Sequence, residues 1–178
     1  MSYIIGINPT EVRTSAEGPA FKLGSVGMEA PTAALQSGAL GVTGGSGGTA
    51  AATKKYKYVQ FNNGVGNVAS VAGNFAYYYA VSGASAGQVD IVTMDITDSG
   101  GVGAGVFMAV IADGGYGWVQ ISGVATLTTA LTAGADGNAL TAVGATDGTL
   151  DVSALVSDFI CAVAIDASAK IVMLTCPE

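Results

Sequence analysis

The sequence predicts an all-β protein, a compact β-barrel or β-sandwich of short antiparallel strands preceded by an extended N-terminal arm. Three observations carry this prediction: the apolar runs are short and rich in β-prone residues, Gly, Asp and Asn turn signals separate them, and the pattern echoes itself along the chain. With 178 residues, the chain is long enough for one domain with a real core plus an appendage. We therefore expect an arm and Gly-rich linker over residues 1–52 and a β domain over residues 53–178.

The predicted arm differs in composition from the rest of the chain. It mixes isolated apolar residues with three prolines and ends in a Gly-rich stretch at residues 38–48, which is typical of a linker. Residues 31–36 could make a short helical turn with proline at its first position. The apolar pieces at residues 3–5 and 21–23 are too apolar for a solvated tail, so we expect them to order on a neighbouring subunit. A disordered terminus is the alternative.

From residue 54 the pattern changes to strands separated by turns. Residues 56–61 alternate, and 62–64 mark a turn; Asp-Gly pairs later in the chain supply the positive-φ positions of tight hairpins. The predicted strand segments are 56–61, 74–81, 89–96, 106–113, 118–121, 159–166 and 171–174. Between the last two hairpins lie segments 125–128, 131–143 and 146–152, of which the latter two each contain an Asp-Gly turn. This spacing is typical of a sandwich or barrel.

Two internal echoes suggest a pseudo-repeat. Residues 106–113 and 118–121 match 159–166 and 171–174 at an offset of 53, and both pairs are predicted to be hairpins. At an offset of 60, residues 58–61 match 118–121, and residues 136–139 resemble residues 72–75 less strictly. Two related half-barrels, or one barrel with pseudo-symmetry, would explain both echoes.

The low charge favours a permanent assembly. Half of the residues are hydrophobic, only 11% are charged and 27 are glycine, whereas ordinary soluble domains carry about 25% charged residues. Such a surface suits burial against a partner. A stable neutral β protein that stays alone is the alternative.

The composition also argues against several functions. A net charge of -7, with Lys54, Lys55 and Lys57 as the one basic cluster, does not suit direct nucleic-acid binding. Histidine is absent, which removes the commonest general base and metal ligand. The start of the chain has no signal-peptide pattern and no apolar run is long enough to span a membrane, so we expect synthesis in a cytoplasm without export and no membrane partner.

No catalytic, cofactor or metal site is predicted. Cys161 and Cys176 lack metal-site spacing and are expected to be small buried hydrophobes, with a disulfide between them left open. The aspartates lie mostly at predicted turns and do not follow the spacing of a calcium loop. Residues 100–105 are Gly-rich without the G-x-G-x-x-G spacing and predict a loop or bulge before a strand. Trp118 is expected to anchor the core, unless it is exposed at the hairpin tip and forms an interface hot spot.

Residues 115–123, 131–140 and 163–166 together resemble small structural proteins of tailed bacteriophages, in particular head decoration (cement) proteins. The resemblance covers roughly residues 54–178. It implies a non-enzymatic virion protein, bound in many copies to the major capsid protein on the outside of the head and stabilising it against internal DNA pressure. It also implies a homo-oligomer or neighbouring copies on the shell, and trimers are common in such proteins.

For that function we expect two contact elements, the arm and the turn at residues 113–116. The candidate contact residues are Tyr3, Ile4, Ile5, Phe21, Leu23, Asp113 and Tyr116. One alternative is a phage tail or fibre component. Another is a carbohydrate-binding β module that uses exposed Tyr77, Tyr79, Tyr116 or Trp118 as stacking platforms.

Overall fold

The all-β prediction is confirmed. A computed structural model describes residues 4–29, 54–64, 67–80 and 90–178, and within them it has eleven strands and no helix. The strands are β1 Ile4–Ile7, β2 Val26–Glu29, β3 Lys55–Phe61, β4 Phe75–Tyr79, β5 Ile91–Thr93, β6 Ser99–Phe107, β7 Tyr116–Thr126, β8 Ala139–Thr141, β9 Asp151–Val152, β10 Ile160–Asp166 and β11 Ile171–Thr175.

Five of these strands close into a barrel. Each neighbour pairs with the next in the order β3-β5-β4-β6-β7, and β7 pairs back with β3. The β3–β5 contact is parallel and the other four are antiparallel. Closure leaves no free edge in the ring, and the inward side chains of all five strands share one core with the second sheet, including Phe61, Phe75, Tyr77 and Phe107.

The long strand β7 belongs to both the barrel and a second sheet. Along one edge, β6 pairs with β7 as far as Gln120, and β11 takes over from Ser122. The opposite edge pairs with β3 from Tyr116 to Ser122. Beyond β11 the second sheet continues through β10 and β8 to the two-residue edge strand β9. The side chain of Gln120 is buried at the handover and donates to the carbonyls of Ser122 and Val124 at 3.1 and 3.0 Å.

The described part of the predicted arm, residues 4–29, packs against the barrel. β1 and β2 form a parallel pair, and β2 runs antiparallel to the start of β3. β5 pairs with the same edge of β3 further along, at Gln60 and Phe61. The proposed linker at residues 38–48 and the helical turn at 31–36 lie outside the described residues, and the division at residue 52 stays a prediction.

Residues 100–105, predicted to form a loop or bulge before a strand, lie inside β6, so their position before the strand was wrong, whereas β6 does bulge there against β4. A Cβ at Gly103 would come within 2.9 Å of Cys161 and Phe75 side-chain atoms, and one at Gly105 would lie 2.4 Å from the Gln120 carbonyl oxygen. Glycine is required there because β6 pairs with β4 through two bulges and its backbone lies very close to that of β7. The prediction of a strand over residues 106–113 was wrong beyond Phe107, where β6 ends.

The two echoes have different structural content. Both predicted hairpins are formed by antiparallel strands, β6 with β7 and β10 with β11, but in the earlier copy Ala109 and Val110 lie in the connection and not in a strand. The other echo aligns strands and turns: Tyr58 and Trp118 face each other across β3 and β7. Gly73 and Gly137, each just before a strand, have φ angles of 81° and 82°. The resemblance between copies is thus local.

We predict that Gly105→Ala strongly destabilises the fold. The φ of Gly105 is 135°, and the added methyl group would collide with backbone, so the free energy of unfolding should fall by about 3 kcal/mol. Gly100→Ala is the matched control in the same strand, because its nearest atom would be 3.9 Å away. Chemical denaturation of the two variants is the measurement, and equal midpoints would contradict the register of β6 on β7.

Candidate functional site

The outward face of the second sheet carries an apolar row where an exposed antiparallel sheet is normally polar, and the neighbouring pairs on that face, Ser122 with Thr175 and Thr126 with Ile171, include polar residues. The strand register places Ala139, Val163, Met173 and Val124 side by side across β8, β10, β11 and β7. Ile165 and Ile171 lie beside this row, two residues along β10 and β11, and the row with these two residues is called the outer face. Val163 is 38% and Ile165 45% exposed. No charged side chain lies within the row, so the outer face is a candidate surface for a protein partner.

Charged groups lie at both ends of the outer face. At one end, Lys55 pairs across the strands with Ser122 and forms an ion pair with Glu178. At the other end, Asp166 pairs with Ile171, and the Lys170 ammonium donates to the carbonyl of Thr128 at 2.8 Å. An apolar centre with a polar rim is the usual anatomy of a protein–protein interface.

A second exposed apolar group lies in the loop that leads into β10. Leu155 is 63% exposed and Val156 fully exposed, and Phe159 and Ile160 follow at the start of the strand. The loop is fixed by one carboxylate: Asp158 Oδ2 accepts from the backbone N–H of Leu155 at 2.8 Å and of Ala154 at 2.9 Å. These hydrogen bonds hold the pKa of Asp158 below its ordinary value, and the one from Leu155 contributes most.

Phe21 and Leu23, predicted to contact a partner, pack on their own chain. They are partly buried against a cluster of Ile7, Tyr56, Tyr58 and Trp118 that is separate from the main core. The Phe21 ring centroid lies 5.3 Å from that of Tyr58 and 5.2 Å from that of Trp118. Trp118 is buried, as a core anchor should be, and within the described residues its indole N–H has no hydrogen-bond partner.

The other candidate contact residues are placed as follows. Asp113 accepts from the backbone N–H of Asn63 at 2.8 Å, so its carboxylate fixes the neighbouring loop. Tyr116 is half-buried in β7, where its backbone exchanges hydrogen bonds of 2.8 and 2.9 Å with Arg13. Ile4 and Ile5 belong to β1, whereas Tyr3 lies outside the described residues. The structure does not gather the predicted residues into one surface, and their role in partner binding stays a prediction.

A buried ion pair joins β3 to the start of β5. Lys57 Nζ lies 3.1 Å from Asp90 Oδ1 and 2.9 Å from the Tyr78 hydroxyl. Burial alone would lower the pKa of Lys57, but the bonds to Tyr78 and Asp90 outweigh it, so the pKa is raised. A lysine held as the ammonium is a structural cation and a poor nucleophile.

The two cysteines are buried free thiols. The Cys176 thiol donates to the Cys161 carbonyl at 3.5 Å, and the Cys161 thiol donates to the Leu140 carbonyl at 3.6 Å. Hydrogen bonding with the Cys161 thiol and burial raise the pKa of Cys176, which makes it less reactive. Among the described residues, no three acidic or thiol side chains come together as a metal site would require.

Sequence reasoning missed the outer face and the exposed loop. A usable signal was present: residues 159–165 and 171–174 are apolar at nearly every position, without the alternation of a sheet that has one face in water. Such a run indicates a strand covered on both faces. One face packs on the main core, and the other is the exposed outer face.

Comparison with protein-family models, curated proteins and solved structures finds no match to this chain. The described residues include no helix with the length and apolarity needed to cross a membrane. The site therefore has to be interpreted from its own geometry.

Removing the buried cation should destabilise the protein. We predict that Lys57→Met lowers the free energy of unfolding by about 2 kcal/mol, because Asp90 loses its partner in a largely buried site. Because the folded pKa of Lys57 is raised above 10.5, its contribution is complete below that pH and is lost as the pH rises through the folded value. Lys22→Met, at an exposed position, is the control in urea denaturation, and an equal loss there would contradict the assignment.

The Asp158 carboxylate should control the order of the exposed loop. Asp158→Ala is expected to speed amide exchange at Ala154 and Leu155 by about tenfold, with Asp158→Asn in between because its amide oxygen can still accept. Since the folded pKa is lowered, the effect of the carboxylate is full above the ordinary range near pH 3.8 and disappears as the pH falls through the folded value. Exchange measured by NMR that is equal in all three proteins would exclude this role.

Proposed function

We propose that this chain is a non-enzymatic structural protein that binds other proteins through its outer face. Following the resemblance to decoration proteins, we further propose that the partner is the major capsid protein of a tailed bacteriophage. The observation that carries the proposal is the row of Ala139, Val163, Met173 and Val124, which extends without a polar interruption across four strands.

Burial of this row would supply a favourable free energy of binding. Apolar surface removed from water contributes about 25 cal/mol per Å², although association and desolvation costs consume much of it. A decoration protein compensates by number, since each copy bridges neighbouring capsomers and many modest contacts act together. The low charge of the chain suits such close packing, in which a buried unpaired charge would be costly.

The titratable groups with perturbed pKa values support a structural role. Burial raises the pKa of Tyr77. Its hydroxyl accepts from the backbone N–H of Thr149 and donates to the Thr146 carbonyl at 3.0 Å. Lys57 and Cys176 are likewise engaged inside the fold. Each of these groups has a neighbour that explains its pKa, so none requires a substrate.

The carbohydrate-binding alternative loses two of its four candidate residues. Tyr77 and Trp118 are buried, so neither ring can stack on a sugar. Tyr79 and Tyr116 are only half-exposed. The tail or fibre alternative has the same surface requirements as a decoration protein and is separated from it by copy number.

The proposal places the protein on the capsid exterior after synthesis in the host cytoplasm, in contact with the shell and with other copies of itself. Neither nucleic acid nor membrane is a partner in this proposal. The chain's net charge of -7 supports the exclusion of nucleic acid, since phosphate would be repelled.

Quantitative mass spectrometry of purified virions tests the function directly. A number of copies equal to, or a simple fraction of, that of the major capsid protein is the expected result. A few copies per particle would indicate a tail or fibre component. Absence from virions would refute the proposal.

A charge on the outer face should prevent docking. We predict that Val163→Glu lowers occupancy on heads by about tenfold or more, because the carboxylate would be buried at the contact without a partner. Ala133→Glu adds the same charge at an exposed position outside the strands and should bind normally. Thermal unfolding of both variants checks that the barrel is intact, and normal occupancy of Val163→Glu would exclude the outer face.

A further inference from the structure

The connection between β2 and β3 is far longer than its geometry requires. The two strands are antiparallel neighbours, and Met28 lies opposite Lys55. A hairpin of this kind is usually closed by about two to five residues. Residues 30–54 nevertheless separate the strands, and none of residues 30–53 is charged. A chain of that length can reach about 80 Å when extended, which exceeds the diameter of the body.

Residues 4–29, called the N-terminal segment, dock on a defined surface of the barrel. This surface, called the seat, is formed by β3 with Tyr58 and by Tyr116 and Trp118 of β7. β2 pairs with β3 at residues 26–28, and the backbones of Arg13 and Tyr116 exchange two hydrogen bonds. Phe21 inserts beside Tyr58 and Trp118, and the backbone N–H of Ala20 donates to the Tyr58 hydroxyl at 3.1 Å. The seat therefore selects the segment by strand pairing, by ring packing and by one half-buried hydrogen bond.

The barrel does not need its own segment in order to close. All five strands of the ring begin at or after Lys55, and Val26 is the one residue of the segment among the buried residues of the main core. The cluster around Trp118 is a separate group, and the segment is what covers it. If the segment leaves, Tyr58 and Trp118, now 0% and 1% exposed, lose much of their cover. An empty seat would be unfavourable, so an equivalent segment has to fill it.

We propose that the N-terminal segment docks on the body of a second copy of this chain, so that neighbouring copies are linked by exchange of residues 4–29. The same contacts form within one chain or between two, so their energies nearly cancel, and the long connection decides which copies can be reached. High local concentration, as on a crowded assembly, then favours exchange. This inference goes beyond the proposed function and does not depend on the identity of the partner.

Ser15 and Gly114 offer a cross-link that reports the exchange. A Cβ placed at Gly114 would lie 3.6 Å from the Ser15 Cβ, within the range of a disulfide. The natural thiols Cys161 and Cys176 are buried and should not compete. Gly114 has a φ of 74°, so thermal unfolding of the reduced variants is measured first, and Gly114→Ala serves as the control for backbone strain.

The test combines the full-length single variants Ser15→Cys and Gly114→Cys. The two are refolded together and oxidised, and the bonded peptides are identified by mass spectrometry. Exchange predicts a covalent dimer joined between residues 15 and 114. The double variant should also form covalent dimers or larger species, whereas docking within each chain would give a monomer with an internal bond.

Light scattering of the unmodified protein provides a second measurement that needs no variant. Exchange predicts an oligomer from micromolar concentrations upward. A monomer throughout, or an oligomer whose double variant carries only internal bonds, would overturn the inference. Neither result bears on copy number in virions, so failure of the exchange and failure of the proposed function are distinguishable.

Discussion

The register of β7 is the constraint on which the rest of the structure depends. This one strand closes the barrel against β3 and β6 and then begins the second sheet by pairing with β11. The pairing partner of β7 changes from β6 to β11 just after Gln120. At this point Gly105 lies close to the Gln120 carbonyl, and the Gln120 side chain donates to the carbonyls of Ser122 and Val124. Since a shift of one residue would turn every side chain of β7 to the opposite face, both the core and the outer face follow from this register.

The same register divides the apolar residues into three groups, which differ in what buries them. The inward row of the second sheet, including Leu140, Ala162 and Leu174, completes the main core with the barrel. The ring of Trp118 points the other way from β7 and is covered by the N-terminal segment. Nothing in the described part of the chain covers the outer face to the same extent, as the exposure of Val163 and Ile165 shows. In the proposed function, a partner surface would cover this row.

The two proposals assign different work to different surfaces. The outer face, with its charged ends, suits a protein partner, while the seat of residues 4–29 suits a second copy of the chain. In an assembly the two would reinforce one another, because copies linked by exchanged segments bind a common shell as a multivalent unit. The carboxylates of Asp113 and Asp158 serve local order: Asp113 accepts the backbone N–H of Asn63 in a neighbouring loop, and Asp158 accepts two backbone N–H groups of its own loop.

The sequence by itself determined the all-β class, most strand positions and the hairpin of β10 and β11, because alternation and turn residues are local signals. It could not place the glycines of β6 inside a strand, since their need arises from contacts with Phe75, Cys161 and Gln120, which are distant in sequence. Nor could it distinguish apolar residues covered by the same chain, such as Phe21, from those left exposed, such as Val163. Only the tertiary structure decided this, because cover depends on which strand follows which around the sheet, and the chain order of the strands does not determine that arrangement.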